Sequence, residues 1–325
     1  MNRTQYEYHP TIGYKYIPNL RVRVQHESGG YLVRTNSRGF RSDDEFETES
    51  NGRKRVIVFG DSFTAGDGVS NKHRYTDLLQ DSLEGMDFYN FGLPGSGTDQ
   101  HYLLYREYGH SFRHDLLVIA VSVENIRRVN AHYRYFLDAE GETKVWQKPY
   151  FEMSGDDLTL RNTPVNPQPI PVSELDEAER GKIDTGGRHE GLRKLVRRLG
   201  MKDLVQRLVR FQPFPEYSRS SKPEWRLMKA VLSRWIVESA APVLLVPIPL
   251  FHHLEETASA RSYQARFAEL SSLCRVHDPL PDMLRHDAAA RRGFRFQRDV
   301  HFTKEGHRAL ADSLLPVVKG MLGAP

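Results

Sequence analysis

The stretch Val-Ile-Val-Phe-Gly-Asp-Ser-Phe-Thr-Ala-Gly-Asp-Gly, Val56 to Gly68, decides how this 325-residue chain is read. Val56–Phe59 is a short β-branched and aromatic run, and Gly60-Asp61-Ser62 ends it at once. A strand that passes straight into a helix leaves Ser62 at the sheet edge, where the free N–H groups of the first helical turn face the same space. Such a turn exposes a hydroxyl nucleophile beside donors for a developing oxyanion. Gly, Asp and Ser also fill ordinary loops, so the triplet takes its meaning from a second element. That element is Asp299-Val300-His301-Phe302-Thr303-Lys304-Glu305-Gly306-His307. A serine needs a base, and the base needs a group that fixes its tautomer; Asp299 and His301 supply both on one turn. The stretch then opens an amphipathic helix carrying Ala309, Leu310, Leu314, Leu315 and Val318. Asp61 reads as an acceptor for the turn rather than as a second acid.

The chain is long enough to bury a full α/β core, and 39% hydrophobic with 27% charged residues is a globular composition. No apolar run approaches the roughly 18 residues that cross a bilayer. Met1–Tyr16 lacks the apolar centre of a signal peptide, so a cytoplasmic protein is expected. The single cysteine, Cys274, excludes an intrachain disulfide and a cysteine-based zinc site. The net charge of +4 is local: Gly187–Arg210 holds eight Lys/Arg against Glu190 and Asp203, and the remainder is close to neutral. That is one basic patch, not a nucleic-acid-binding coat.

Residues 1–50 read as an extended, β-rich arm with turns at Pro18-Asn19 and Ser28-Gly29-Gly30. Strands then alternate with helices through residues 51–325. Strands are expected at Val56–Phe59, Asp87–Phe91, Leu116–Val123, Val243–Ile248 and Cys274–Asp278. Helices are expected at Tyr75–Leu83, Gln100–Tyr108, Glu224–Glu238, Tyr263–Leu273 and Lys304–Met321. This alternation predicts a parallel sheet covered on both faces, with ligands beyond the carboxyl ends of its strands. Residues 127–222 break the rhythm with hairpin-like turns (Asp138–Gly141, Ser154–Asp157), a proline-rich segment and the basic patch. A lid or substrate-shaping insertion is the simplest reading.

Together these residues resemble the SGNH (GDSL-type) hydrolases, whose four blocks supply Ser, Gly, Asn and His. Ser62 matches the nucleophile block, and Asp299 with His301 matches the last. Asn90-Phe91-Gly92-Leu93-Pro94-Gly95-Ser96-Gly97-Thr98 is similar to the second block, in which Gly95 would lend its N–H to the oxyanion hole. The third block departs from the Gly-x-Asn-Asp pattern: the chain has Ser122-Val123-Glu124-Asn125. Three readings are open. Asn125 takes the donor position through a one-residue shift, or Glu124 is protonated or paired with Arg127 or Arg128, or the hole is weakened and the reaction unusual. The arm's Asn36-x-x-Gly39-Phe40-Arg41 is similar to a motif on some bacterial SGNH proteins associated with polysaccharide gene clusters.

The resemblance implies a flavodoxin-like three-layer α/β/α sandwich and a serine esterase. Ser62 would attack an ester carbonyl, His301 would take its proton, Asp299 would hold the imidazole, and Ser62, Gly95 and Asn125 would stabilise the oxyanion. No cofactor and no metal is expected. The expected partner is a small-molecule or carbohydrate ester, most plainly a short acyl such as acetyl; acyl transfer by the same triad and a non-hydrolytic binding protein are the alternatives. Glu124, Arg41 and His252 are candidates for substrate binding. The plainer reading makes Arg41 a structural partner of Asp43 or Asp44, and His252 a solvated loop residue. Leu192, Leu195, Val196, Leu199, Leu204 and Leu208 have helical spacing opposite arginines, as in a lid helix. Tyr133, Tyr135, Phe136, Trp146, Tyr150 and Phe151 form either a mini-core of the insertion or the wall of a binding site. Acyl length and oligomeric state are not legible.

Overall fold

Two antiparallel hairpins start the chain: β1 (Tyr6–His9) with β2 (Gly13–Tyr16), and β3 (Arg21–Val24) with β4 (Tyr31–Arg34). The computed structural model describes residues 5–49, 52–137, 143–155, 157–184 and 212–323. The βα units follow as β5 (Lys54–Phe59), α1 (Ser62–Ala65), α2 (Tyr75–Ser82), β6 (Met86–Asn90), α3 (Thr98–Glu107), β7 (Leu116–Ser122) and α4 (Asn125–Arg128). The insertion contributes β8 (Tyr133–Leu137), β9 (Thr143–Gln147), β10 (Tyr150–Ser154), β11 (Asp157–Arg161), β12 (Ile170–Pro171), α5 (Glu177–Arg180) and β13 (Ile183–Asp184). The chain then returns through α6 (Pro223–Glu238), β14 (Val243–Ile248), α7 (Phe251–Leu254), α8 (Arg261–Ala268) and β15 (Arg275–Val276). It closes with α9 (Leu280–Met283), α10 (Ala288–Arg292) and α11 (Lys304–Leu322).

The central sheet is parallel, in the order β15-β14-β7-β5-β6. Numbered within the sheet, that is the 2-1-3-4-5 order of flavodoxin-like folds, with its switch point beside β5. β7 and β14 are buried along their whole length, which is why both read as unbroken apolar runs. α2 packs with α11, and α3 with α6, giving helical cover to both faces. Phe59 stacks on Phe91 and meets the edge of Trp235 of α6, tying β5 to one of these layers. The last strand is only two residues long where five were expected, because β15 pairs with β14 alone and its residues are partly exposed.

The insertion forms a four-stranded sheet, β12-β9-β8-β13, and the separate β10–β11 hairpin. Tyr133, Val145 and Leu175 make a small core of its own, whereas Phe151 joins the main core and Tyr150 stacks on His132. The turn residues 138–141, the side chain of Phe136 and the amphipathic segment with Leu192, Leu195, Val196, Leu199, Leu204 and Leu208 lie outside the described residues.

Arg41 is placed differently from the sequence expectation. It reaches neither the cleft nor Asp43 or Asp44. It is 1% exposed, and its five N–H groups go to Asn71 Oδ1 and to the carbonyls of Ala65, Gly66, Leu32 and Val69. The planar fork matches a turn that leaves several carbonyls pointing inward, so Arg41 pins the arm beneath the end of α1. Arg41→Met strands those acceptors in the core. The expected loss is on the order of 3 kcal/mol or more in urea titration at unchanged m-value; a midpoint like wild type contradicts it.

Candidate active site

Ser62 is the first residue of α1, directly beyond β5 and at the switch point of the sheet. Asp61 caps that helix: its Oδ1 accepts the Phe63 N–H at 3.0 Å. Its Oδ2 accepts from Asn125 Nδ2 at 2.7 Å and from Arg128 Nη1 at 2.9 Å. One buried carboxylate thus joins the nucleophile turn to the segment after β7.

His301 comes from the loop before α11. Its Nε2 is 2.7 Å from Ser62 Oγ and its Nδ1 is 2.5 Å from Asp299 Oδ1, which also accepts the His301 N–H at 2.9 Å. An ionised carboxylate only accepts, so the ring proton sits on Nδ1 and Nε2 is left to accept the serine O–H. The loop is held by a β-bridge between Arg295 and Phe302 and by Phe63, whose ring packs against those of His301 and Phe302. Thr303 then caps α11. Burial alone would lower the His301 pKa. The hydrogen bond to Asp299 and the negative charges of Asp67, Asp299 and Asp61 outweigh it, and the net direction is upward. Burial would raise Asp299, but its bonds and charge interaction with His301 hold it well below the usual carboxylate range. The neighbouring His307 is fully buried and neutral, pushed down to about 3 by desolvation, with Nδ1 accepting from the Tyr75 N–H.

Gly95 adopts φ +70°, a left-handed backbone that favours glycine, and packs directly against the Arg134 guanidinium. The N–H groups of Ser62 and Gly95 donate to no acceptor among the described residues. Asn125 spends one amide hydrogen on Asp61, leaving a second at the same buried corner. Glu124 is paired: its carboxylate is bonded to Arg128, which also holds Asp61 and lies 3.6 Å from Asp184. Of the three readings of the third block, the pairing of Glu124 with Arg128 is the one seen directly, and Asn125 meets the same cluster through Asp61. His252 is neither solvated nor open to the cleft; it is buried, with its ring against Phe251.

The arm contributes what no local sequence pattern marked. His26 and Glu27, from the β3–β4 loop, both bond to Asp299. Arm and insertion also enclose a cavity of about 230 Å³ that shares Gly95 and Arg128 with the site and is lined by Tyr6, Tyr8, Tyr14 and Trp146.

The sequence profile of the GDSL-like lipase/acylhydrolase family matches residues 58–309, spanning the nucleophile turn and the His301 loop. The chain belongs to this family. As a GDSL-like acylhydrolase it is a carboxylic ester hydrolase. Solved structures similar to it include a G-D-S-L lipolytic protein from Veillonella parvula DSM 2008, at 14% identity over 81% of this chain and 97% of that one, with a TM-score of 0.40. A lipase/acylhydrolase from Enterococcus faecalis matches at 15% identity over 82% and 96%, TM-score 0.41. The acetyl xylan esterase AlAXEase matches at 16% identity over 81% and 99%, TM-score 0.40. No curated protein matches the sequence.

A base must be neutral to work, so the upward shift of His301 fixes the sign of the pH dependence. The kcat/KM for p-nitrophenyl acetate should fall as pH drops through a value above the ~6.5 of a free histidine. Asp299→Asn removes the chief upward influence; its acid limb moves to lower pH and kcat drops about 10⁴-fold. A wild-type limb below the free-histidine value contradicts the assignment.

Proposed function

We propose that this GDSL-like hydrolase removes a short acyl group, most plainly acetyl, from a saccharide through a Ser62–His301–Asp299 triad. The observation that carries this reading is the unbroken chain Ser62 Oγ, His301 Nε2, His301 Nδ1 and Asp299 Oδ1, with links of 2.7 and 2.5 Å. His301 accepts the Ser62 proton as Oγ bonds to the carbonyl carbon, and Asp299 stabilises the imidazolium. The tetrahedral oxyanion lies against the N–H groups of Ser62 and Gly95 and the second amide hydrogen of Asn125. His301 returns the proton to the leaving alcohol. Water, deprotonated by the same imidazole, then attacks the acyl-enzyme and releases the acid and Ser62. These steps use only groups of this chain.

The saccharide assignment rests on the cavity at Gly95. Its Tyr6, Tyr8, Tyr14 and Trp146 offer flat apolar faces, while Gln147 and Asn166 offer amide donors and acceptors. That mixture suits a ring with apolar C–H faces and a rim of hydroxyls. In this reading the arm and the insertion of residues 127–222 shape the alcohol side, and the central sheet carries the chemistry. Glu124 is charge-paired with Arg128 and does not oppose the oxyanion.

Ser62→Ala should lower p-nitrophenyl acetate turnover by at least about 10⁴-fold at unchanged melting temperature. Turnover retained by the pure variant rejects the nucleophile. Trp146→Ala should raise KM for an acetylated methyl glycoside while sparing p-nitrophenyl acetate; equal effects on both reject the saccharide cavity. Glu124→Gln should leave kcat within a few-fold, whereas a marked acceleration would mean that its charge opposes the reaction.

A further inference from the structure

We propose that the β3–β4 loop of the N-terminal arm belongs to the catalytic apparatus, with His26 and Glu27 as positioning residues that hold Asp299 for His301. The proposal rests on the triad reading above and adds residues from an element far away in the chain. Asp299 uses Oδ1 for His301, while His26 Nε2 lies 3.3 Å from the other oxygen, Oδ2. The tautomer of His26 follows from its second nitrogen. The Ser28 N–H donates to His26 Nδ1 at 3.2 Å, so Nδ1 accepts, and the ring proton sits on Nε2, where it is donated to Asp299. Glu27 holds the backbone of the same residue: its Oε1 accepts the N–H groups of Arg298 at 2.8 Å and Asp299 at 2.9 Å. Side chain and main chain of Asp299 are thus both fixed by consecutive residues of one loop.

The loop is built to stay there. The His26 ring meets the edge of Phe296 at 4.4 Å and of Tyr31 at 5.8 Å. Ser28 Oγ donates to Gly68 O, and the Leu32 N–H donates to Ser70 Oγ at 2.9 Å, so the hairpin is also sewn to the turn after α1. Gly68 has φ +89°, and a Cβ there would strike Phe296 at 2.4 Å, so loop, nucleophile turn and His301 loop meet without room for a side chain. Asp299 needs such support because its side chain is 32% exposed. A carboxylate open to water on one side can turn away from the imidazole, and a turned carboxylate neither fixes the tautomer nor balances the imidazolium. A donor on its outer oxygen and a clasp on its amide remove that freedom without touching substrate, as outer-shell partners do for metal-bound histidines.

The test uses the full chain and two readouts. The proton between His301 Nδ1 and Asp299 should give a far-downfield NMR line, observable without any substrate. His26→Leu and Glu27→Ala should each shift or broaden that line and lower kcat for p-nitrophenyl acetate about tenfold, with KM within twofold. His26→Gln keeps an N–H at nearly the reach of Nε2 and should restore both. Glu27 is exposed, so its variant reports even if His26→Leu fails to fold. A downfield line unchanged in Glu27→Ala and in every folded His26 variant overturns the proposal. A wild type that hydrolyses no ester overturns the functional reading instead, and the NMR line still decides the clasp.

Discussion

Asp61 is the residue on which the site's geometry depends. It is 1% exposed, caps α1 with one oxygen, and receives Asn125 and Arg128 on the other. The first bond fixes how β5 turns into α1, and therefore where Ser62 stands. The second brings an amide donor from beyond β7 to the same corner. The third brings Arg128, which gathers Glu124 and Asp184 as well. Such a cluster is costly to desolvate, and removing one partner leaves buried charge uncompensated, typically at about 3–5 kcal/mol. The ion cluster is therefore weak evidence for stability and strong evidence for fixed placement around Ser62.

The remaining structure can be understood as the means of bringing His301 to that corner. Ser62 and His301 are 239 positions apart, and they meet because β5 lies inside the sheet, between β7 and β6, while α11 packs on α2. Phe63 of α1 packs on the loop that carries the histidine, its ring against both His301 and Phe302. The arm closes the assembly from outside: Arg41 binds the carbonyls at the end of α1, and the β3–β4 loop reaches Asp299. A polypeptide segment that contributes no strand to the central sheet thereby touches both halves of the site.

Much of this was legible before any coordinates. The fold class follows from five apolar runs spaced by helical patterns, and the turn at Ser62 and the loop at His301 follow from residues adjacent in sequence. What could not be seen were pairings between distant side chains. For Glu124 the sequence offered pairing with Arg127 or Arg128 among three readings but did not choose between them, because the choice depends on Asp61 and Asp184, which Arg128 also meets. Arg41 and His252 looked available for substrate because burial of a polar residue leaves no local mark in sequence. His26 and Glu27 carried no signal, since a hairpin turn explains both without reference to residues more than 270 positions away.

The central claim is that Ser62 is a nucleophile made reactive by His301. Its most direct test is covalent labelling with a fluorophosphonate, followed by peptide mapping by mass spectrometry. A nucleophilic hydroxyl attacks phosphorus whether or not the natural ester is known, so the measurement does not depend on substrate identity. The account predicts one adduct per chain, located on Ser62, and little or none in His301→Ala. An unlabelled folded protein, an adduct on another residue, or equal labelling without His301 would contradict it.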